Sequence, residues 1–261
     1  MNSLILKREG PVTLLVLRRP PINALDREAL DELGQAVGEI RADRETRVLV
    51  ITGGINGIFC SGGDLKYWRQ VSNGNEVSKI GRRVFAQIER LPKPTIAAIN
   101  GHVIGDGLAL ALACDLKIAS LAATFRLPEV AYGFIPGWGL IRRLIASVGK
   151  TNASEFLLTG QPVDASRAHA MGLLNEVVTS EKLMDEVLER SRQMAILSPA
   201  AFRAAKCALL GGDEKVCFEA IWSQKDWQEG IDALLSKRIP VYGIDVQGGE
   251  ECDQIGGVQA D

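Results

Sequence analysis

Two glycine-rich segments hold the residues best placed to do chemistry. The first is Phe59-Cys60-Ser61-Gly62-Gly63-Asp64-Leu65-Lys66, and the second is Asn100-Gly101-His102-Val103-Ile104-Gly105-Asp106-Gly107. Each is expected directly after a buried strand, at the carboxyl end where open α/β sheets bind ligands. Glycine tolerates positive φ and lets main chain approach a ligand closely. A helix start adds amide N–H groups without partners and the positive end of the macrodipole. Two such N–H groups converging on one atom would make an oxyanion hole. Neither segment reads G-x-G-x-x-G or G-x-x-x-x-G-K-[ST], and no G-x-S-x-G elbow occurs. Cys60 and Ser61 have no neighbouring base placed by sequence to activate them. His102 reads either as a pocket residue or as a histidine satisfied within the fold. Residue types alone give two anion sites on an α/β scaffold, or glycines that only turn the chain.

The surrounding pattern supplies that scaffold. Leu4 to Lys7 and Val12 to Arg18 read as strands joined at Glu9-Gly10-Pro11. Leu30, Leu33, Val37 and Ile40 have helical spacing, with Asp26 as N-cap. Val48 to Thr52, Thr95 to Ile99 and Leu116 to Ala119 are short apolar runs that predict buried strands. Val84, Ile88 and Leu91 mark a helix stopped by Pro92 and Pro94, while Val71 to Ser78 reads as loop. Gly105 to Cys114 is apolar on nearly every face and predicts a core helix. Strand, loop and helix recur at crossover spacing, so an α/β fold with parallel pairing is expected. Beyond Pro136 the spacing predicts helices over 140–148, 153–158, 165–171, 182–197, 200–210 and 216–235.

Composition narrows the class of protein. A chain of 261 residues buries a core without disulfide or metal staples. Its 30 basic and 32 acidic side chains are well mixed, which argues against nucleic acid as a partner. Five scattered cysteines without a C-x-x-C pair fit a reducing cytoplasm, and two histidines complete no zinc set. No signal peptide is read at the N-terminus, and no apolar run approaches the ~20 residues that cross a bilayer. A soluble cytoplasmic protein is the expectation.

Taken together, the two loops resemble the crotonase (enoyl-CoA hydratase/isomerase) superfamily. The resemblance spans about residues 4 to 210 and is strongest over 59–66, 97–115 and 125–139. It extends through Leu158-Thr159-Gly160 to Ala168, Met171-Gly172-Leu173 and Asn175-Glu176-Val177-Val178. The implied fold is a crotonase-like ββα spiral core over residues 1–196. A helical trimerisation region over 197–243 and a flexible tail over 244–261 would follow. A homotrimer or homohexamer is implied, with Trp222 and Trp227 either at subunit contacts or capping the core.

The resemblance also assigns roles. The oxyanion N–H groups fall on Gly63 and on Asp106, where the family usually carries the middle glycine of a triple run. Ile22 and Ala24 match residues whose main chain contacts coenzyme A, and Asp64, Leu65 and Lys66 match the stretch lining its adenine and phosphate end. Coenzyme A enters as part of the thioester substrate, and neither a separate cofactor nor a metal is expected. Hydratases of the family use two glutamates. One matches Glu129, but the other position is Ala109. The resemblance therefore implies first a single-glutamate Δ3,Δ2-enoyl-CoA isomerase, in which Glu129 takes a proton from C2 and returns it at C4. Phe59, Leu108, Phe125 and Trp138 would form an apolar wall raising the Glu129 pKa. Asp106 lies three residues before Ala109 and shares its helix face. It either restores a second acid/base group, reopening hydration or other lyase chemistry, or points away from substrate. A non-catalytic acyl-CoA-binding member is the remaining alternative.

Overall fold

The computed structural model describes residues 2–55, 57–72 and 74–243; the expected tail over 244–261 lies outside the described residues. The chain opens on β1 (Leu4–Glu9), β2 (Val12–Leu17), α1 (Arg27–Ala42) and β3 (Val48–Gly53). The short elements β4 (Ile58–Cys60) and α2 (Leu65–Trp68) precede α3 (Gly74–Glu89) and β5 (Thr95–Ile99). Then come β6 (His102–Ile104), α4 (Asp106–Leu112), β7 (Leu116–Ser120), β8 (Thr124–Arg126) and a 3-10 turn at Glu129–Tyr132. Helices α5 (Leu140–Thr159) and α6 (Ala165–Ala170) alternate with β9 (Val163–Asp164) and β10 (Glu176–Val178). The described chain closes on α7 (Leu183–Ala195), α8 (Pro199–Leu209), α9 (Glu214–Trp222) and α10 (Asp226–Leu235).

The main sheet has six strands in the order β1-β2-β3-β5-β7-β10. Only the β1–β2 hairpin is antiparallel; β2 onward pairs in parallel. The central strands are apolar on both faces because both faces are covered. Leu49, Ile51, Ala97 and Ile99 join one core with the buried sides of α1, α3 and α4. Their alternates Val48, Val50, Ile96 and Ala98 pack with Leu183 and Val187 of α7. Truncating any large one, such as Ile51→Ala, would cost about 2–5 kcal/mol. Asp26 caps α1 as expected, accepting the Ala29 N–H at 2.9 Å.

The α/β class is as expected, but a second sheet was not legible. Strands β4, β6, β8 and β9 form it, each two or three residues long. Runs this short show no usable periodicity. The first glycine loop leaves β4 of this second sheet, and the second loop steps from β5 into it through β6. Asn100 makes the step possible by donating to the Gly53 carbonyl at 3.0 Å while accepting the Gly53 N–H. Three helical boundaries also differ. α3 begins at Gly74, inside the expected loop; α5 runs through both expected helices with a break at Gly149; and the expected 216–235 helix is two. Gly149 has φ 72° and ψ 163°, a conformation that interrupts the helix.

Candidate active site

The two glycine loops touch. Gly62 has φ 80°, and a Cβ built on it would lie 2.8 Å from the Asp106 nitrogen. A Cβ on Gly107 would lie 2.2 Å from the Cys60 carbonyl oxygen. Only glycine permits this approach of one loop to the other. The segment from Ile22 to Leu25 runs alongside: the Ser61 N–H donates to the Ile22 carbonyl, Leu25 N–H to Gly62, and Asp64 N–H back to Leu25. Among the described residues, neither the Gly63 N–H nor the Asp106 N–H donates to a protein acceptor. Two unspent amides thus belong to adjoining turns.

Glu129 opens the 3-10 turn and is buried, at 6% exposure. Its Oε2 is enclosed without a hydrogen-bond partner from the protein. An orphaned buried carboxyl oxygen costs roughly 1–3 kcal/mol. Burial raises its pKa, against a lowering by its own backbone N–H. Phe59, Leu108, Phe125 and Trp138, the residues expected to form an apolar wall, are all buried.

The Asp106 side chain is bound within the site. Its Oδ1 accepts the Gly137 N–H at 2.9 Å. Burial, reinforced by the charge of Glu129, pushes its pKa up to about 7 despite that hydrogen bond. Two carboxyl groups are therefore electrostatically coupled here, although Ala109 is an apolar core residue with no exposure. The Asp106 side chain is thus buried, tied to Gly137 and within electrostatic reach of Glu129. Gly137 lies 31 residues from Asp106, and no local sequence pattern links the two.

Trp68 was missed as well. A Cβ on Gly63 would lie 2.4 Å from the Trp68 Nε1, so the indole covers that residue. Trp68 stacks on Trp138 with centroids 6.3 Å apart, and Trp138 meets Phe85 edge-on at 5.3 Å.

The remaining expected site residues form the rim. Ile22, Leu65 and Lys66 are exposed, while Ala24 is buried. Arg19 donates to the Ala24 carbonyl at 3.0 Å and to Asp64 at 2.8 Å, and pairs with Asp26. The Asp64 carboxylate also caps α2 through the Lys66 and Tyr67 N–H groups. Burial would raise its pKa, but Arg19 and these amides hold it below the ordinary value. That carboxylate is engaged inside the protein; it fixes the rim rather than presenting a free charge. His102 is exposed and hydrogen-bonds Thr124 at 2.6 Å, outside the carboxyl pair. Burial pushes the Cys60 thiol up to about 12, which leaves it inert as a nucleophile. Among the described residues no cluster could hold a metal ion, and no helix is long and apolar enough to cross a membrane.

A six-stranded sheet parallel from β2 onward, a small second sheet and two unspent loop amides near buried carboxyls define the crotonase class. The model of the enoyl-CoA hydratase/isomerase family matches residues 7–244, and the chain belongs to that family. It is 33% identical over 251 residues to the short-chain-enoyl-CoA hydratase of Clostridium acetobutylicum, covering 91% of this chain and 96% of that one. It is 36% identical over 253 residues to the 2,3-dehydroadipyl-CoA hydratase of Escherichia coli, covering 93% and 99%. Among solved structures, an enoyl-CoA hydratase from Bacillus anthracis superposes with a TM-score of 0.88 at 32% identity, covering 93% of this chain and all of that one.

Proposed function

We propose that this enzyme is an enoyl-CoA hydratase, adding water across the C2–C3 double bond of a 2-enoyl thioester. The observation that carries this reading is the Asp106 carboxyl, held by Gly137 and coupled to Glu129. Ala109 first favours a one-glutamate isomerase, but Asp106 supplies a second proton-transfer group from a different position. The hydratase relatives support hydration over isomerisation.

The chemistry follows from how the two groups divide a proton. Burial and the charge of Glu129 raise Asp106 to about 7, so a protonated Asp106 is available beside Glu129 near neutrality. A neutral Asp106 does not repel the developing enolate. Glu129 takes a proton from water as the oxygen attacks C3. The electron pair moves to the thioester oxygen, which the Gly63 and Asp106 N–H groups stabilise, a contribution of about 3–4 kcal/mol per donor. Asp106 then protonates C2, and the proton on Glu129 returns to Asp106. Coenzyme A is expected along Ile22, Ala24, Asp64, Leu65 and Lys66.

Crotonyl-CoA should lose its conjugated thioester absorbance on incubation with the protein. A gain of that absorbance from a 3-enoyl-CoA, with crotonyl-CoA unchanged, would restore the isomerase reading. Binding of acyl-CoA without either change would leave the non-catalytic one.

The assembled protein is proposed to be a trimer or a dimer of trimers formed through residues 197–243. Phe218, Trp222, Leu234 and Leu235 are all more than half exposed in the single chain, which supports an assembly surface there. Trp222 meets Trp227 edge-on at 4.9 Å and Phe218 at 5.9 Å.

A further inference from the structure

We infer that Trp138, seated against Trp68, ends the acyl site and restricts this enzyme to short acyl groups. The inference rests on the acyl-CoA reading and deepens it by naming a substrate class. Trp68 covers Gly63, so an acyl group whose thioester oxygen reaches the two loop amides meets that indole at once. Trp138 stacks behind it and is 1% exposed. Its backbone has φ 51°, a conformation that side chains other than glycine rarely adopt. Strain of this kind persists where the surroundings over-determine it, and it clusters at functional sites.

Three contacts hold the ring in place. Gly81 of α3 lacks the Cβ that would lie 2.5 Å from the indole, so the helix opens a slot for it. Phe85 meets the ring edge-on. Arg143 donates to the Trp138 carbonyl at 2.8 Å while both ends of its guanidinium grip Glu89.

Trp138 also lines a cavity of about 680 Å³ whose wall mixes Leu91, Leu140 and Leu210 with charged Arg82, Glu89 and Arg142. Trp138 therefore stands as a partition between the carboxyl pair and this partly charged cavity. Its neighbour Gly137 faces both, holding Asp106 and lining the cavity. A linear chain growing from the thioester is stopped at the indole before it reaches that volume.

The test uses saturated acyl-CoAs, which bind but cannot be hydrated, measured by isothermal titration calorimetry on the full chain. Affinity is expected to rise from acetyl- to butyryl-CoA and then to level or fall through hexanoyl- and decanoyl-CoA. A climb of about four-fold per methylene through decanoyl-CoA, as an open apolar tunnel would give, overturns the inference. Trp138→Leu should extend the climb to longer chains; an unchanged profile in that variant, folded by circular dichroism, also overturns it. If Trp138→Leu does not fold, Trp68→Leu with the wild-type series decides the matter in the same way. Failure of the hydratase reading would show separately, as absent turnover with the binding cut-off intact. No binding of any acyl-CoA would sink both.

Discussion

Gly105 stands directly against the Glu129 carboxyl: a Cβ built on Gly105 would lie 2.4 Å from Oε1. The same glycine has φ 54° and donates its N–H to the Arg126 carbonyl. One residue thus turns the second loop into α4 and leaves room for the buried acid.

Gly105→Ala should therefore damage catalysis more than binding. The methyl group displaces the carboxyl, and a displacement of about 1 Å costs on the order of 100-fold in rate. Steady-state kinetics should show a fall in kcat of that size with KM for the thioester nearly unchanged. A variant with normal kcat would mean that Glu129 does not need its present position.

The acid and base are separable by substitution and pH. Glu129→Gln and Asp106→Asn should each lower kcat by about 10²–10⁴-fold. Wild-type kcat/KM should be bell-shaped, falling at low pH as Glu129 takes a proton and falling above about 7 as Asp106 loses one. Asp106→Asn should remove the alkaline limb. An alkaline limb that survives in that variant would assign it to another group.

Stability should carry the same signature. Because Asp106 is raised in the folded state, the native protein binds more protons than the unfolded chain between about 4 and about 7. Stability should fall as pH rises through that window. Asp106→Asn keeps an acceptor for Gly137 and removes the buried charge. Denaturant melts should show the variant about 2–4 kcal/mol more stable at pH 8 and equal to wild type near pH 4. Equal stability at both values would mean Asp106 is not strained by burial.

Glu89 anchors the loop that carries Gly137 and Trp138. Arg143 is 5% exposed and bonds both Glu89 oxygens. Burial would raise Glu89, but Arg143 and Arg142 outweigh it and hold the carboxyl below its ordinary range. Glu89→Gln leaves the buried Arg143 without its charge partner, at a cost of roughly 3–5 kcal/mol. Thermal melts should register that loss, and turnover should fall as the Gly137 N–H moves from Asp106.

Assembly is checked by light scattering after size exclusion. The wild-type protein should elute at three or six chain masses, and Phe218→Glu with Trp222→Glu should shift it toward one. A wild-type monomer would remove the assembly role proposed for residues 197–243.

Much of this protein was written locally. The alternation of Val48, Leu49, Val50 and Ile51, apolar throughout, announces a strand covered on both faces. Asp26 before a 3.6-residue apolar repeat announces a capped helix. Glycines at 62, 63, 105 and 107 beside helix starts announce either amide sites or turns; Glu129 is marked only by the family resemblance. These features are legible because each depends on neighbours within a few residues.

What only tertiary structure decided lies in pairs far apart in the chain. Whether Asp106 helps or hinders depended on Gly137, 31 residues away, and on the charge of a buried Glu129. Whether Trp68 and Trp138 were ordinary core residues depended on Gly63 and Gly81, which leave space for their rings. The second sheet, too, was hidden, because strands of two or three residues take their pairing from the fold and not from their own sequence. Sequence set which groups were present; three-dimensional proximity set their protonation and reach, since burial and Coulomb interaction depend on distance in space and not on separation along the chain.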